Sequence, residues 1–422
     1  MSHLISDEIR LFQVRQSFEK QKIDDVKQAV DQQFDKATFL PDLTGKTVAI
    51  SAGSRGIANI GLIIRTLAAN IRSRGGIPFI VPAMGSHGGG TAEGQRQVLA
   101  NYRITEEYCE CEIRASMETI EVCQANEGFP VHFDKQASLA DYVLVCGRIK
   151  PHTDFTGPIQ SGLMKMMLIG LGKHEGAKVY HKAIKDYTFD QIVRSVAREV
   201  IERCHVLGGL GIVENAYEET AHVELVPPHQ IESREEELLE MASRYMPRLP
   251  FDMADFLVID EIGKEISGAG LDTNIVGRKY YDHFPAEHEF PKIKRIAVRG
   301  LTEATHGNAT GIGMAEFCRT SVLETMNVES TRINCLTSGH VTAGMSPIDF
   351  ATDRQMIDEA LNTVGFCDAK TAKMMWIKNT LHITELCCSE AYLEQATPRE
   401  DLEILCEPTP LKFDTNDNLV PF

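Results

Sequence analysis

Residues 147–181 place three histidines (His152, His174, His181) and four lysines (Lys150, Lys165, Lys173, Lys178) among glycines, directly after the apolar run Tyr142-Val143-Leu144-Val145-Cys146. Imidazole is both a metal ligand and an acid/base group near neutral pH, so this loop-helix unit has the side chains for two different histidine tasks. Two earlier loops carry related chemistry. Residues 51–56 hold Ser54 and Arg55 between Gly53 and Gly56, and residues 84–90 hold His87 followed by Gly88-Gly89-Gly90. All three loops follow short apolar runs. Ligands of open α/β proteins sit beyond the carboxyl ends of strands, which makes Arg55, His87 and His152 candidates for one pocket.

Each of these residues also has a plainer reading. The glycines permit tight turns and leave N–H groups open to an anion. Gly88 and Gly89, running into a helix, would suit a phosphate, although such a loop is as often only a turn. Neither the lysine of a P-loop nor the spacing of a dinucleotide fingerprint is present. A loop histidine such as His87 is commonly structural. His152 stands beside Asp154, which would orient it, or else in an exposed turn. Arg55 between glycines is not explained by packing. Lys165, in Leu163-Met164-Lys165-Met166-Met167-Leu168, either snorkels from an amphipathic helix or lies buried, where an unpaired ammonium is costly.

The elements that must position these groups alternate. Strands are expected at residues 46–51, 77–82, 141–146, 206–213 and 222–226. Helices are expected at 60–71, from an N-cap at Thr91, near 162–172, at 188–204 and, strongly acidic, at 230–245. Residues 1–40 read as a charged helix with Phe12, Val14, Val26 and Val30 as its stripe. Pro247 and Pro250 then mark a boundary. Strands at 256–260 and 293–298, helices around 314–326 and 353–363, and the segment 381–386 form a second set. The expected fold is α/β with two domains, residues 1–247 and 248–422. Parallel or mixed sheets carry helices on both faces, and the active site lies in the interdomain cleft.

Composition narrows the partners. Hydrophobic content of 43% with 24% charged residues is that of a globular protein, and the net charge of −17 argues against nucleic acid and anionic membranes. No apolar window reaches the roughly 18 residues of a membrane span. The start, MSHLISDEIRLFQ, has no signal-peptide pattern. Eleven scattered cysteines without a CxxC pair suggest a reducing compartment and no thiolate metal site, so a cytoplasmic location is expected.

The order of the loops resembles the nickel-dependent lactate racemase family. That family couples a strand-end loop ending in Arg, a Gly-x-His loop followed by Thr and Glu, a Pro-His loop, and a lysine with a histidine sixteen residues beyond it. The corresponding residues here are Ala52-Gly53-Ser54-Arg55, Gly85-Ser86-His87 with Thr91 and Glu93, Lys150-Pro151-His152, and Lys165 with His181 sixteen residues on. The likeness spans about residues 46–185 and is looser beyond, where it rests on Asp260-Glu261-Ile262-Gly263-Lys264.

The resemblance implies a racemase or epimerase that inverts the carbinol carbon of a 2-hydroxy acid by hydride transfer. Its cofactor would be a nickel pincer nucleotide, of the nickel pyridinium-3,5-bisthiocarboxylic acid mononucleotide type, attached covalently through Lys165. His181 would ligate nickel, and His87 and His152 would be the two acid/base groups. Arg55, with Ser54, Gly88, Gly89 and Lys264, would hold cofactor or substrate. Cofactor-building enzymes become expected partners, and a homodimer is compatible. Two departures stand beside the pocket. Ala52 replaces the family's usual Asp, and the 13 residues from His152 to Lys165 enlarge the loop at 153–161. They point to a larger acid, such as a sugar acid, as readily as to lactate, with Asp154 and Gln160 available to its hydroxyls. The rival readings are a nicotinamide-dependent dehydrogenase, disfavoured by the missing GxGxxG turn, and a non-catalytic nucleotide- or hydroxy-acid-binding protein.

Overall fold

The computed structural model describes residues 5–53 and 56–421. The chain divides into two compact units, Glu19–Met246 and Met1–Phe18 with Pro247–Phe422. The first strand, β1 (Arg10–Gln16), therefore belongs with the second half of the chain, whereas the expected division kept residues 1–247 together. The helix expected over residues 1–40 is this strand followed by α1 (Val26–Lys36). Phe12 and Val14 stand two apart, the strand period. Val26, Val30 and Phe34 stand four apart, the helix period, and all five are buried.

The unit Glu19–Met246 runs β2 (Thr47–Ala52), α2 (Ile60–Ser73), β3 (Ile77–Pro82), α3 (Ala92–Asn101), α4 (Glu106–Cys109) and β4 (Glu112–Ile113). A hairpin follows, β5 (Thr119–Gln124) and β6 (Pro130–Asp134), then α5 (Lys135–Ser138) and β7 (Tyr142–Arg148). Beyond β7 come α6 (Leu163–Lys165), a π-helical turn (Met166–Gly170), α7 (Lys173–Ala183) and α8 (Phe189–Arg203). The unit closes with β8 (Val206–Glu214), β9 (Thr220–Val226) and α9 (Ile231–Tyr245). Its main sheet has the order β4-β3-β2-β7-β8-β9, parallel except for β9 against β8.

Side chains of the central strands alternate between two buried layers, which is why these strands read as continuous apolar runs. Ala49, Phe79, Val81, Val143 and Val145 face Leu163, Leu168, Tyr180, Ile192 and Leu238. Val48, Ile50, Ile80, Leu144 and Cys146 face α1 and α2 through Val30, Ile63, Ile64 and Leu67. Helices cover both faces, as expected. Helix starts follow their capping chemistry: the Thr91 hydroxyl accepts the N–H of Gly94 at 3.0 Å, and Thr188 forms a reciprocal capping box with Gln191 ahead of α8.

In the other unit the parallel strands β10 (Met253–Ile259), β11 (Lys292–Val298), β12 (Phe317–Arg319) and β13 (Ile348–Phe350) stack outward from one side of β10. β14 (Met374–Ile377) joins β10 on its other side, followed by antiparallel β15 (Glu385–Ser389), β1 and β16 (Leu402–Ile404). The helix expected near 314–326 breaks into β12 and a short helix, Thr320–Thr325, because Phe317 and Cys318 pair with β11. The segment expected at 381–386 contributes β15, which begins at Glu385. β1 is tied in by its own register and by Arg15, which reaches Glu385 at 2.8 Å and Glu403 at 2.9 Å. No helix among the described residues is long and apolar enough to cross a membrane.

Because β1 lies between β15 and β16, its removal exposes two strand edges. A fragment of residues 19–246 is expected to unfold cooperatively in urea by circular dichroism. Residues 247–422 without β1 are expected to aggregate or lack a transition. A cooperative transition in that second fragment would refute the dependence on β1.

Candidate functional site

The sheet order fixes where a crevice must open. From β2 the chain builds outward through β3 and β4, then returns to the opposite side of β2 with β7 and continues to β8 and β9. The topological switch point therefore lies between β2 and β7, and the loops leaving their carboxyl ends diverge there. These are the loops of Ser54 and Arg55, which lie outside the described residues, and of His152. The neighbouring β3 loop carries His87. Ala52, at the end of β2, is fully buried and accepts the N–H of Ala83 at 2.7 Å.

The segment 162–170 sits over this crevice, and glycines make room for it. A Cβ on Gly147 would stand 2.8 Å from Met166 Cγ, and one on Gly53 would stand 3.4 Å from Met166 Cε. A Cβ on Gly170 would meet the carbonyl of Ala83 at 2.8 Å, and one on Gly209 of β8 would meet Leu163 at 2.6 Å. Gly85, at φ +57°, donates its N–H to the carbonyl of Gly170 at 3.4 Å. The π-helical turn thus touches the exits of β2, β3 and β7 together. Such turns are rare and frequently stand at functional sites.

Lys165 closes α6 just before that turn and is half-buried, with its ammonium 5.1 Å from the centre of the Phe155 ring. Phe155 lies between His152 (4.1 Å, 14°) and Phe189 (3.9 Å, 5°), a stack of three rings. Stacking of this kind contributes on the order of 1 kcal/mol per pair. Nδ1 of His152 accepts the peptide N–H groups of Asp154 at 3.0 Å and Phe155 at 3.1 Å. The main chain at Asp154 thus orients the ring, and in the neutral imidazole the proton sits on Nε2. The Gln160 amide accepts the N–H of His152 at 2.9 Å and donates to Gly157 at 2.9 Å, while Lys150 donates its N–H to Ser161. Part of the amide's hydrogen-bonding capacity is thus used within the loop.

His181, on α7, is half-buried. Burial first, then the positive charges of Lys165 and Lys185, lower its pKa, which favours the neutral form that ligates metals. Among the described residues no three His, Cys, Asp or Glu gather as a metal site. His87 is exposed at the start of the turn Gly88–Gly90, whose three glycines all have positive φ. A Cβ on Gly88 would stand 2.6 Å from Gly94, whereas Gly89 has open space around it. Lys264 belongs to the other unit. It follows β10 at that sheet's own switch point, between β10 and β14, and its ammonium donates to the carbonyl of Gly268.

One residue under the site is not evident from its sequence neighbourhood. In Glu235-Glu236-Glu237, Glu236 pairs with Arg194 and Glu237 with Arg234, but Glu235 points inward and is 1% exposed. Its Oε2 accepts the N–H of Met164 at 2.8 Å and so caps the turn that carries Lys165. A Cβ on Gly162 would collide with its Oε1 at 2.4 Å. Burial pushes the carboxyl up to about 7, against the pull of that N–H. The helical spacing from Ile231 to Glu235 to Leu238 and Leu239 was the available signal, since those three neighbours are buried. Likewise Glu214, at the end of β8, accepts the N–H of Ala58 and pairs with Arg148, tying down the far side of the β2 loop.

Fold and crevice define an open-sheet α/β protein with its candidate site at a switch point. Residues 10–189 match the family described as the lactate racemase N-terminal domain, which identifies that segment as a domain of the lactate racemase family. The structure is similar to that of the lactate racemase apoprotein from Thermoanaerobacterium thermosaccharolyticum, with TM-score 0.50 and 11% identity over 88% of each chain. It is also similar to a Thermotoga maritima protein, with TM-score 0.50 and 13% identity over 78% of this chain and 84% of that one. At these identities the likeness is one of fold. No curated protein matches by sequence.

The raised pKa of Glu235 has a stability consequence. An unfolded carboxyl titrates near 4.3, so between there and about 7 the folded protein keeps a proton that the unfolded chain has lost. Stability should therefore fall as pH rises through that window and level off above it, by on the order of 3 kcal/mol. Glu235→Gln keeps an acceptor for Met164 and removes the titration. Urea midpoints at pH 5 and pH 8 should differ less in the variant than in the wild type. Equal differences would show that Glu235 does not titrate there.

Proposed function

We propose that this protein inverts the carbinol carbon of a 2-hydroxy acid through a keto intermediate, using a nickel pincer nucleotide carried on Lys165. The observation that supports this most is the pairing of Lys165, immediately before the π-helical turn over the switch point, with a nearby imidazole at His181 that burial favours in its neutral form. A lone histidine retains a metal poorly, so the metal must arrive with its other donors supplied. A nucleotide that chelates its own nickel fits that donor set, and His181 would add the protein ligand through one ring nitrogen. Attachment at Lys165 would replace a half-buried ammonium with a neutral amide-like group and remove its desolvation cost. When bound, the nucleotide supplies the hydride acceptor that no side chain provides.

The chain's own residues supply position and proton transfer. His152, with Nδ1 accepting two main-chain N–H groups, turns Nε2 toward the site as its free ring nitrogen. His87 is the second acid/base group, so that each configuration of the hydroxyl meets an imidazole. Arg55, beside Ser54, would orient the substrate carboxylate. Gly88 and Gly89 would let the main chain approach the nucleotide. The enlarged loop at 153–161, its backbone spent on His152 and its Asp154 exposed, favours an acid with a substituent larger than the methyl of lactate.

Enantiopure 2-hydroxy acids carrying deuterium at C2, given to cofactor-loaded protein, should emerge inverted with the deuterium retained. Loss of deuterium to solvent would instead show carbanion chemistry, and no inversion with any acid would favour a binding protein. Intact mass after co-expression with cofactor-building enzymes should show an adduct that Lys165→Ala abolishes. His87→Ala and His152→Ala should each lower turnover by roughly 10²-fold or more. Full turnover in either variant would remove that residue from the reaction.

A further inference from the structure

Lys173 and Asp134 form an ion pair of 2.8 Å with both side chains 0% exposed. Neither has a part in the chemistry proposed above. Burial lowers the pKa of the ammonium, and Asp134 opposes that shift. Buried pairs of this kind are often matched or bettered in stability by apolar residues of similar volume, so stability alone does not account for one. The backbone adds strain, since Lys173 stands at φ +54°, a left-handed conformation costly for a residue with a Cβ.

What the pair touches is the exit of β3. The Lys173 ammonium donates to the carbonyl of Pro82, the last residue of β3, and to Oε1 of Gln95 at 3.4 Å. Gln95, on α3 and also 0% exposed, donates its amide to the carbonyls of Gly85 at 2.9 Å and His87 at 3.3 Å. Asp134 is fixed in turn by the N–H of Ala137, which it caps at 2.8 Å. A chain of polar contacts thus runs from α5 through Asp134, Lys173 and Gln95 to the carbonyls of Gly85 and His87, the residues flanking Ser86. The loop it reaches is built on glycines with positive φ at 85, 88, 89 and 90, and its own main-chain bonds run from His87 to Met84 at 3.1 Å and from Gly90 to His87 at 3.4 Å.

We propose that the buried Lys173–Asp134 pair, acting through Gln95 and Pro82, is the positioning element for His87. Lys173 touches no reacting atom. It sets the height of the His87 loop above the carboxyl end of β3. The consequence for turnover rests on His87 acting as proposed, but the positioning itself does not.

Amide hydrogen exchange of residues 83–95 in the full-length, cofactor-free protein tests this, alongside urea midpoints. Lys173→Met leaves Asp134 buried alone and should lower the midpoint and speed exchange. Adding Asp134→Asn removes the stranded charge while keeping an acceptor for Ala137. This double variant should recover most of the midpoint, yet exchange at 84–91 should stay roughly tenfold or more above wild type. Gln95→Leu, which leaves the ion pair intact, should speed the same amides. Wild-type exchange there in the double variant or in Gln95→Leu would overturn the proposal and leave the pair purely structural. If loaded wild-type protein inverts no 2-hydroxy acid, the functional reading fails while exchange still decides the positioning.

Discussion

Close packing of residues 162–170 against the ends of three parallel strands is the constraint on which the site depends. Two strands diverging at a switch point leave a gap, but the gap alone holds nothing. Here it is filled by a short helix and a π-helical turn: Met166 and Leu163 lie where side chains on Gly147 and Gly209 would stand, and Gly170 has no room for one against the carbonyl of Ala83. Met166 lies against Gly53 and Gly147, and Leu163 lies on Gly209, so Lys165 between them has little choice of direction. Interiors packed this closely transmit displacement rather than absorb it. A change at any of those glycines therefore moves the lysine as well as the strand that bears it.

Charges buried beneath the site repeat the logic with polar groups. Glu235 takes a main-chain N–H that the start of α6 would otherwise leave unsatisfied, and an orphaned buried N–H costs about as much as a lost hydrogen bond. A water molecule would serve on the surface, but Glu235 is sealed beneath Gly162. Glu214 does comparable work at the β2 loop. These carboxylates lie beneath the loops and act through the main chain.

The sequence made much of this arrangement legible, and the losses have physical causes. Strands β2, β3 and β7 and helices α2, α8 and α9 were readable because apolar period and capping agreed in each. The N-terminal strand was missed because Phe12 and Val14 were pooled with Val26 and Val30, two periods averaged into one, and because its partners lie more than 360 residues away. Met374–Ile377 escaped notice because a fully buried strand of four apolar residues has no alternation to reveal it. At the site, the loop residues were legible by type and order. Glu235, Gln95 and the Lys173–Asp134 pair were not, since their importance lies in inward orientation and in contacts 71 to 91 residues distant. Gln160, a polar side chain in an enlarged loop, gives one acceptor and one donor bond to the loop itself, which its sequence position does not reveal.

The two histidines come by their order in different ways, and this bears on a reaction that asks for symmetry. His152 carries its own support: two peptide N–H groups fix Nδ1, and Phe155 and Phe189 stack beneath the ring. His87 is exposed on a glycine-rich loop and borrows its position from Lys173 through Gln95. Inversion at one carbon needs an acid and a base to exchange places on opposite faces, so identical roles do not require identical rings. A ring fixed through Nδ1 presents Nε2 at one place, whereas a ring on a glycine-rich loop can follow the hydroxyl it meets. On the reading proposed, the asymmetry lets one fixed and one tunable group serve both directions, with the buried pair limiting how far the tunable one can stray.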